Sequence, residues 1–125
     1  MKAYHTDKEG IGIWRLSGVV SPADALTLLR SLGSGENGCF IIDFEKVDHI
    51  NYTAFEILEN GAPKGAKVLY SGLNDYVLNI FAFVRRSDTI PVYPDLQKAL
   101  NYLVVERGKI CSRNKRDSHR LKRYE

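Results

Sequence analysis

The feature that most constrains the fold is an apolar run in the middle of the chain, Cys-Phe-Ile-Ile-Asp-Phe at residues 39–44. A strand with one face in water alternates polar and apolar side chains, and this run does not alternate. A strand that helices cover on both faces has this pattern. The run therefore predicts the central strand of an α/β sheet.

Segments of helical and strand periodicity alternate along the rest of the chain. A period-two segment after the turn signal Asp-Lys-Glu-Gly predicts a hairpin of residues 2–6 and 11–17. Two further strands are predicted at residues 66–72 and 90–93. Polar positions predict that the first is less enclosed than the central strand, and its proline places the second at a sheet edge. Both are expected to run parallel to the central strand. Helices are predicted to start near Ser21, Thr53, Asn74 and Pro94.

Length and composition favour a single domain. The chain has 125 residues, of which 44% are hydrophobic and 26% charged, and a chain of this size can bury one core. No apolar run approaches the roughly 20 residues that span a bilayer, and the first residues lack the apolar core of a signal peptide. We therefore expect a cytoplasmic protein. Its two cysteines, Cys39 and Cys111, are too few and too far apart for a zinc site.

Charge is distributed unevenly along the chain. Residues 108–125 contain seven Lys or Arg and two acids, whereas residues 1–107 contain eleven and thirteen. We therefore expect a mildly acidic domain over 1–107 and a basic C-terminal tail over 108–125. Such a tail is either simply solvated or tethers the domain to nucleic acid or an anionic membrane surface through phosphate contacts. The cations that would carry this alternative function are Arg113, Lys115, Arg116, Arg120, Lys122 and Arg123.

Polar residues stand where the central strand gives way to a helix, around Asn-Tyr-Thr at residues 51–53. Thr53 and Glu56 have the spacing of a capping box, and Asn51 can cap the same helix one register earlier. A helix N-terminus also attracts phosphate, because free N–H groups and the positive end of the helix dipole converge there. A phosphoryl group added at this position would therefore change an exposed surface beside a structural cap.

No set of residues in the sequence has the spacing of a catalytic or metal site. The three histidines, His5, His49 and His119, fall on a strand, a loop and the tail. Asp43 at the end of an apolar strand suggests the phosphoacceptor of a two-component receiver domain, but the earlier strand lacks the acidic pair that Mg²⁺ requires. No glycine-rich phosphate loop is present either. We therefore predict no enzyme, no metal and no cofactor.

Three segments in order resemble the STAS domain, the module shared by bacterial anti-sigma factor antagonists and the cytoplasmic tails of sulfate transporters. The first is Gly-Ile-Trp-Arg-Leu-Ser-Gly at residues 12–18, and the second is residues 42–54, which follow the family pattern without a gap. The third comprises residues 65–72 and, after a helix, 90–100. The resemblance extends over nearly all of residues 3–105.

The resemblance implies both a fold and a type of function. The implied fold is a mixed β-sheet of four to five strands with about four helices packed mainly on one face. The implied function is binding: in the family, an unphosphorylated antagonist binds an anti-sigma factor that is also a Ser/Thr kinase, and phosphorylation releases it. We therefore expect a non-catalytic protein–protein interaction module that resembles an anti-sigma factor antagonist in bacterial partner switching and transcription regulation. Its expected partner is an anti-sigma factor or a related kinase.

The resemblance also implies an altered phosphorylation site. By position, Tyr52 stands where the family has its phosphorylated Ser, and Asn51 stands where the family has the preceding Asp. Thr53 corresponds to a second Ser and Ala54 to a Gly. Thr53 and Tyr52 are therefore the phosphorylation candidates, and Thr53 carries the one aliphatic hydroxyl that remains in this motif.

The predicted partner surface combines the start of this helix with the next helix. The first helix has room for only about two turns before Gly61, fewer than in the family. An inward face of Ala54, Ile57 and Leu58 leaves Phe55 on the flank beside Tyr52. Phe83 is expected outside the buried stripe of the following helix. The predicted partner-binding residues are Asn51, Tyr52, Thr53, Phe55 and Phe83.

Overall fold

The computed structural model describes residues 1–33, 38–63, 65–84 and 90–106. The strands within these residues are β1 (Lys2–Lys8), β2 (Ile11–Val20), β3 (Cys39–Ile50), β4 (Lys67–Ser71) and β5 (Val92–Tyr93). The helices are α1 (Pro22–Leu32), α2 (Tyr52–Gly61), α3 (Asp75–Val84) and α4 over residues 96–106. No helix in this part of the chain is long and apolar enough to cross a membrane.

The five strands form one mixed sheet in the order β1-β2-β3-β4-β5. Strands β1 and β2 form the predicted antiparallel hairpin, closed by Glu9 and Gly10 with φ angles of 53° and 80°. Positive φ at both residues is typical of the two-residue turn that matches the twist of paired strands. The other neighbouring strands pair in parallel, as predicted.

The two faces of the sheet carry separate apolar clusters, because successive side chains of a strand point to opposite faces. Helices α1, α2 and α3 pack on one face, against residues that include Leu16, Ile42 and Tyr70. Helix α4 packs on the other face, against a smaller cluster that includes Ile41 and Leu69. Three of the four described helices therefore share one face, and the predicted fold class is confirmed.

Four aromatic rings meet at the centre of the larger cluster. Phe55 of α2 lies 5.5 Å from Phe44, 5.8 Å from Tyr70 and 5.3 Å from Phe81, measured between ring centroids. Phe55 is 0% exposed. The expectation that Phe55 lies on the flank of its helix is therefore wrong. Its ring joins α2 to α3 and to the two central strands.

Strand β4 is more enclosed than its polar positions suggest. All residues from Val68 to Ser71 are buried. Ser71 donates a hydrogen bond of 2.7 Å from Oγ to Oδ1 of Asp43 on β3, and Tyr70 lies inside the aromatic cluster. The prediction of a less enclosed strand is wrong, because these polar groups face the protein interior.

Strand β3 continues well beyond the predicted end at residue 44. It keeps pairing with β2 as far as the Val20–Ile50 pair, across two register shifts that accommodate the extra residues. The hairpin is longer than predicted for the same reason, since β2 extends through Val20. The extended conformation therefore lasts until Ile50, and helix α2 starts two residues later.

Candidate functional site

Asn51 caps the N-terminus of α2. Its backbone is extended, with φ −70° and ψ 137°, and its Oδ1 accepts a hydrogen bond of 2.8 Å from the N–H of Thr53. The predicted capping box of Thr53 and Glu56 is therefore wrong, and the alternative cap by Asn51 is confirmed. Thr53 belongs to the first helical turn because β3 ends at Ile50. Helix α2 has 10 residues, about 2.8 turns, so it is also longer than the two turns predicted.

An open groove lies where the end of β3, the start of α2 and one side of α3 meet. Its volume is about 470 Å³. Its lining combines aliphatic and aromatic side chains with polar groups from β3, α2 and α3. The described residues that line it are His49, Ile50, Asn51, Tyr52, Glu56, Tyr76, Ile80, Phe83 and Val84.

Three exposed aromatic side chains border this groove, and we call them the aromatic rim. Tyr52 at the start of α2 is 58% exposed, Tyr76 in the first turn of α3 is 52% exposed, and Phe83 near the end of α3 is 86% exposed. Large apolar side chains that cluster at one concave surface are typical of contact sites for other molecules. The rim is therefore the strongest candidate for a binding surface in the described chain.

The groove walls are fixed to the sheet by hydrogen bonds. Tyr76 Oη lies 2.6 Å from Nδ1 of His49, and the two rings lie 5.5 Å apart. Asn74 accepts a hydrogen bond of 2.8 Å from the N–H of Val77 and donates one of 3.4 Å to the carbonyl of Val47. These contacts hold the start of α3 against the end of β3, so the groove is built before any ligand arrives.

The structure brings together four of the five predicted partner-binding residues. Asn51, Tyr52 and Phe83 line the groove, and Thr53 is half-buried in the adjoining helical turn. Phe55 is separated from them, because the buried face of α2 consists of Ala54, Phe55 and Leu58. The six cations of the predicted tail lie outside the described residues.

Several residues of the groove were not predicted from the sequence, although a periodic pattern indicates one of the groove walls. Tyr76, Ile80 and Phe83 follow the i, i+4, i+7 spacing of one helix face. This second stripe lies beside the buried stripe of Val77, Phe81 and Val84. No sequence pattern places His49 and Glu56 in the groove, because their positions there depend on how α2 and α3 pack at the end of β3.

A buried carboxylate lies on the opposite face of the sheet. Asp43 is 2% exposed. Its Oδ2 lies 3.8 Å from Nε of Arg15, and its Oδ1 accepts the hydrogen bond from Ser71. Burial raises the pKa of the Asp43 carboxyl above its usual value; Glu45 acts in the same direction, while Ser71 and Arg15 oppose the shift. In the described residues no group of three or more His, Cys, Asp or Glu could hold a metal ion.

The raised pKa predicts how Asp43 affects stability. The Asp43 carboxyl holds its proton more tightly in the folded chain than in the unfolded chain. Its contribution to stability therefore falls as the pH rises from its pKa in the unfolded chain through its pKa in the folded chain. Asp43→Asn keeps the acceptor for Ser71 without the charge. We expect urea unfolding to show a higher stability for the variant than for the parent at pH 7, with a difference that shrinks toward pH 4. Glu45→Gln, at an exposed neighbour, should change stability by less than about 0.5 kcal/mol; a lower stability of Asp43→Asn at pH 7 would contradict the assignment.

Comparison with known proteins supports the fold. No protein-family model and no curated protein sequence matches the chain. An anti-sigma factor antagonist from Mycobacterium paratuberculosis is similar at a TM-score of 0.68 and 19% identity, over 81% of this chain and 92% of that one. A putative anti-sigma factor antagonist from Thermotoga maritima has a TM-score of 0.66 and 10% identity, over 80% of this chain and 92% of that one. The STAS domain of a SulP transporter from Vibrio cholerae has a TM-score of 0.54 and 24% identity, over 83% of this chain and 88% of that one.

These three solved structures match the chain over 80–83% of its length. The chain therefore has the STAS fold, and the resemblance seen in the sequence is confirmed at the level of the fold.

Proposed function

We propose that this protein is a non-catalytic STAS-type module that binds a partner protein through the groove between α2 and α3. The proposal rests on one observation, the aromatic rim of Tyr52, Tyr76 and Phe83 around a single groove. We infer that the partner is an anti-sigma factor or a related kinase, because two of the similar solved structures are described as anti-sigma factor antagonists. In this role the protein takes part in partner switching.

The chemistry of the groove favours protein binding over catalysis. Tyr and Phe side chains give large contact areas at a low entropy cost, and aromatic residues are enriched among the side chains that dominate binding energy at interfaces. The polar groups of the groove are largely occupied in structural roles: Asn51 caps α2, and His49 contacts Tyr76. This occupancy leaves the aromatic rings as the main contact elements.

We propose that phosphorylation at this site is altered, with Tyr52 as the accessible acceptor, which a tyrosine kinase and not an ordinary Ser/Thr kinase would modify. Tyr52 is 58% exposed at the rim, whereas Thr53 is half-buried and its N–H is held by Asn51. A phosphoryl group on Tyr52 would place about −1.5 to −2 charges on the aromatic rim. It would therefore oppose the docking of an apolar partner surface. Thr53 stays the second candidate.

Truncation of the rim tests the proposed docking site. Tyr52→Ala with Phe83→Ala should reduce capture of a specific partner from the native host at least about ten-fold, because aromatic anchors each contribute roughly 1–2 kcal/mol or more. Tyr52→Phe keeps the ring without the hydroxyl, so it should retain the partner and lose any phosphorylation there. Quantitative mass spectrometry of affinity-purified protein measures both results.

The matched control removes exposed apolar side chains elsewhere. Tyr4 on β1 is 62% exposed and Leu26 on α1 is 46% exposed, and neither lines the groove. Tyr4→Ala with Leu26→Ala should leave partner capture unchanged. If the control pair abolishes capture and the rim pair does not, the docking site is assigned to the wrong surface.

A second candidate function belongs to the basic tail, whose charge of seven cations against two acids favours binding to nucleic acid or an anionic membrane. Binding through about six phosphate contacts should weaken roughly a thousand-fold between about 50 and 200 mM salt. Replacement of Arg113, Lys115, Arg116, Arg120, Lys122 and Arg123 by Gln should abolish it. Titrations with a DNA duplex and with phosphatidylserine vesicles give the measurement, and salt-independent binding would exclude this function.

A further inference from the structure

Glu56 contributes a carboxylate to the groove. It is half-buried on α2 and lines the groove. Within the described part of the chain it has no hydrogen bond or ion pair. No Lys or Arg is among the described lining residues, so Glu56 carries the one formal charge of the groove there. A carboxylate that is partly removed from water gains most from a cation, because its own hydration is already reduced.

The aromatic rim favours the same kind of ligand. The faces of Tyr and Phe rings attract cations through the ring quadrupole. Tyr52, Tyr76 and Phe83 present three exposed rings to the groove that Glu56 lines. A carboxylate and several aromatic faces around one concave surface therefore provide complementary contacts for an organic cation.

We propose that the groove recognises an arginine side chain of the protein partner. This inference rests on the proposed function and adds the chemistry of the partner. Arginine fits best, because its planar guanidinium stacks on aromatic faces and also forms hydrogen bonds with a carboxylate. Its methylene groups would lie along the partly exposed side chain of Ile80. Arginine is also one of the residues enriched at energetic centres of interfaces.

A pair of small probes tests this recognition on the full chain. N-acetyl-L-arginine methylamide and its citrulline counterpart have nearly the same shape, but the citrulline side chain is uncharged. We expect the arginine probe to shift the backbone NMR signals of Tyr52, Glu56 and Tyr76 in a saturable way. The citrulline probe should bind at least ten-fold more weakly. Equal affinities, or shifts confined to another surface, would overturn the proposal.

Matched variants distinguish a specific effect of the Glu56 carboxylate from a general effect of negative charge. Glu56→Gln should weaken the arginine probe at least five-fold, and Phe83→Ala should weaken it as well. Glu45→Gln removes the same charge on an exposed side chain outside the groove, and it should leave the affinity unchanged. An effect of Glu45→Gln as large as that of Glu56→Gln would show long-range attraction only, and would overturn the site.

Three further outcomes distinguish the source of the cation and the fate of the proposed function. Tighter binding of tetramethylammonium than of the arginine probe would assign the groove to small quaternary cations and overturn the arginine assignment. If partner capture depends on Tyr52 and Phe83 but is unaffected by Glu56→Gln, the docking role stands and the arginine inference falls. If the arginine probe binds in a Glu56-dependent way while partner capture ignores the rim, the cation site stands and the docking role falls.

Discussion

Replacement of Phe55 by alanine is expected to destabilise the protein by about 3–5 kcal/mol, the usual cost of removing a fully buried phenylalanine ring. Phe55 is 0% exposed and lies within 6 Å of three other rings, so its removal leaves a cavity at the centre of the core. Total stabilities of single domains are roughly 5–15 kcal/mol. The loss is therefore a large fraction of the whole, and urea unfolding measures it directly.

The matched control for this prediction is the same substitution on α3. Phe83 is 86% exposed, so Phe83→Ala removes an equal ring from a surface position. We expect it to change the free energy of unfolding by no more than about 0.5 kcal/mol. Comparable losses for Phe55→Ala and Phe83→Ala would mean that the core is not arranged around Phe55. The same pair separates stability from binding, because only Phe83 lines the groove.

These two phenylalanines show how far the sequence can predict burial on a helix. Helix α3 has a clear stripe at Val77, Phe81 and Val84, and the predicted exposure of Phe83 follows from it and is confirmed. Helix α2 is ambiguous, because apolar residues occupy positions 54, 55, 57 and 58. Its orientation is set by the space between Phe44, Tyr70 and Phe81, which is a long-range property.

Similar limits apply to the strands and to the groove. The apolar run at 39–44 predicted a central strand, but its extension to Ile50 depends on pairing with β2 across two register shifts. Strand β4 is buried because apolar clusters cover both of its faces, and Ser71 is accommodated there by its hydrogen bond to Asp43. No local pattern indicates these contacts. The segment Asn51–Thr53 was predicted as a helix start, whereas the position of Glu56 in the groove depends on how α3 packs beside α2. Local periodicity therefore predicted the elements, and their relative placement created the site.

Gly72→Ala is expected to destabilise the protein by about 2–5 kcal/mol, through two costs at the end of β4. Gly72 has a φ of 73°, a conformation that costs other residues roughly 1–2 kcal/mol. An added Cβ would also lie 2.8 Å from Oδ1 of Asp43 and 3.1 Å from the backbone N of Glu45. Overpacking of this kind typically costs about 1–3 kcal/mol, and here one of the neighbours is backbone that cannot rotate away.

Gly18→Ala separates the two costs, because the backbone conformation is similar and the surroundings are open. Gly18 has a φ of 85°, and an added Cβ would meet nothing within 4 Å. It should therefore lose only the roughly 1–2 kcal/mol of the left-handed conformation. The excess loss in Gly72→Ala, measured by urea unfolding with an unchanged m-value, reports the close approach between β4 and the Asp43 region of β3. Since Gly72 N–H also donates to the carbonyl of Tyr93, displacement of this residue would loosen β5 as well. Equal losses for the two variants would show that the end of β4 is not in close contact with the Asp43 region of β3, and that Asp43 is less enclosed than its 2% exposure indicates.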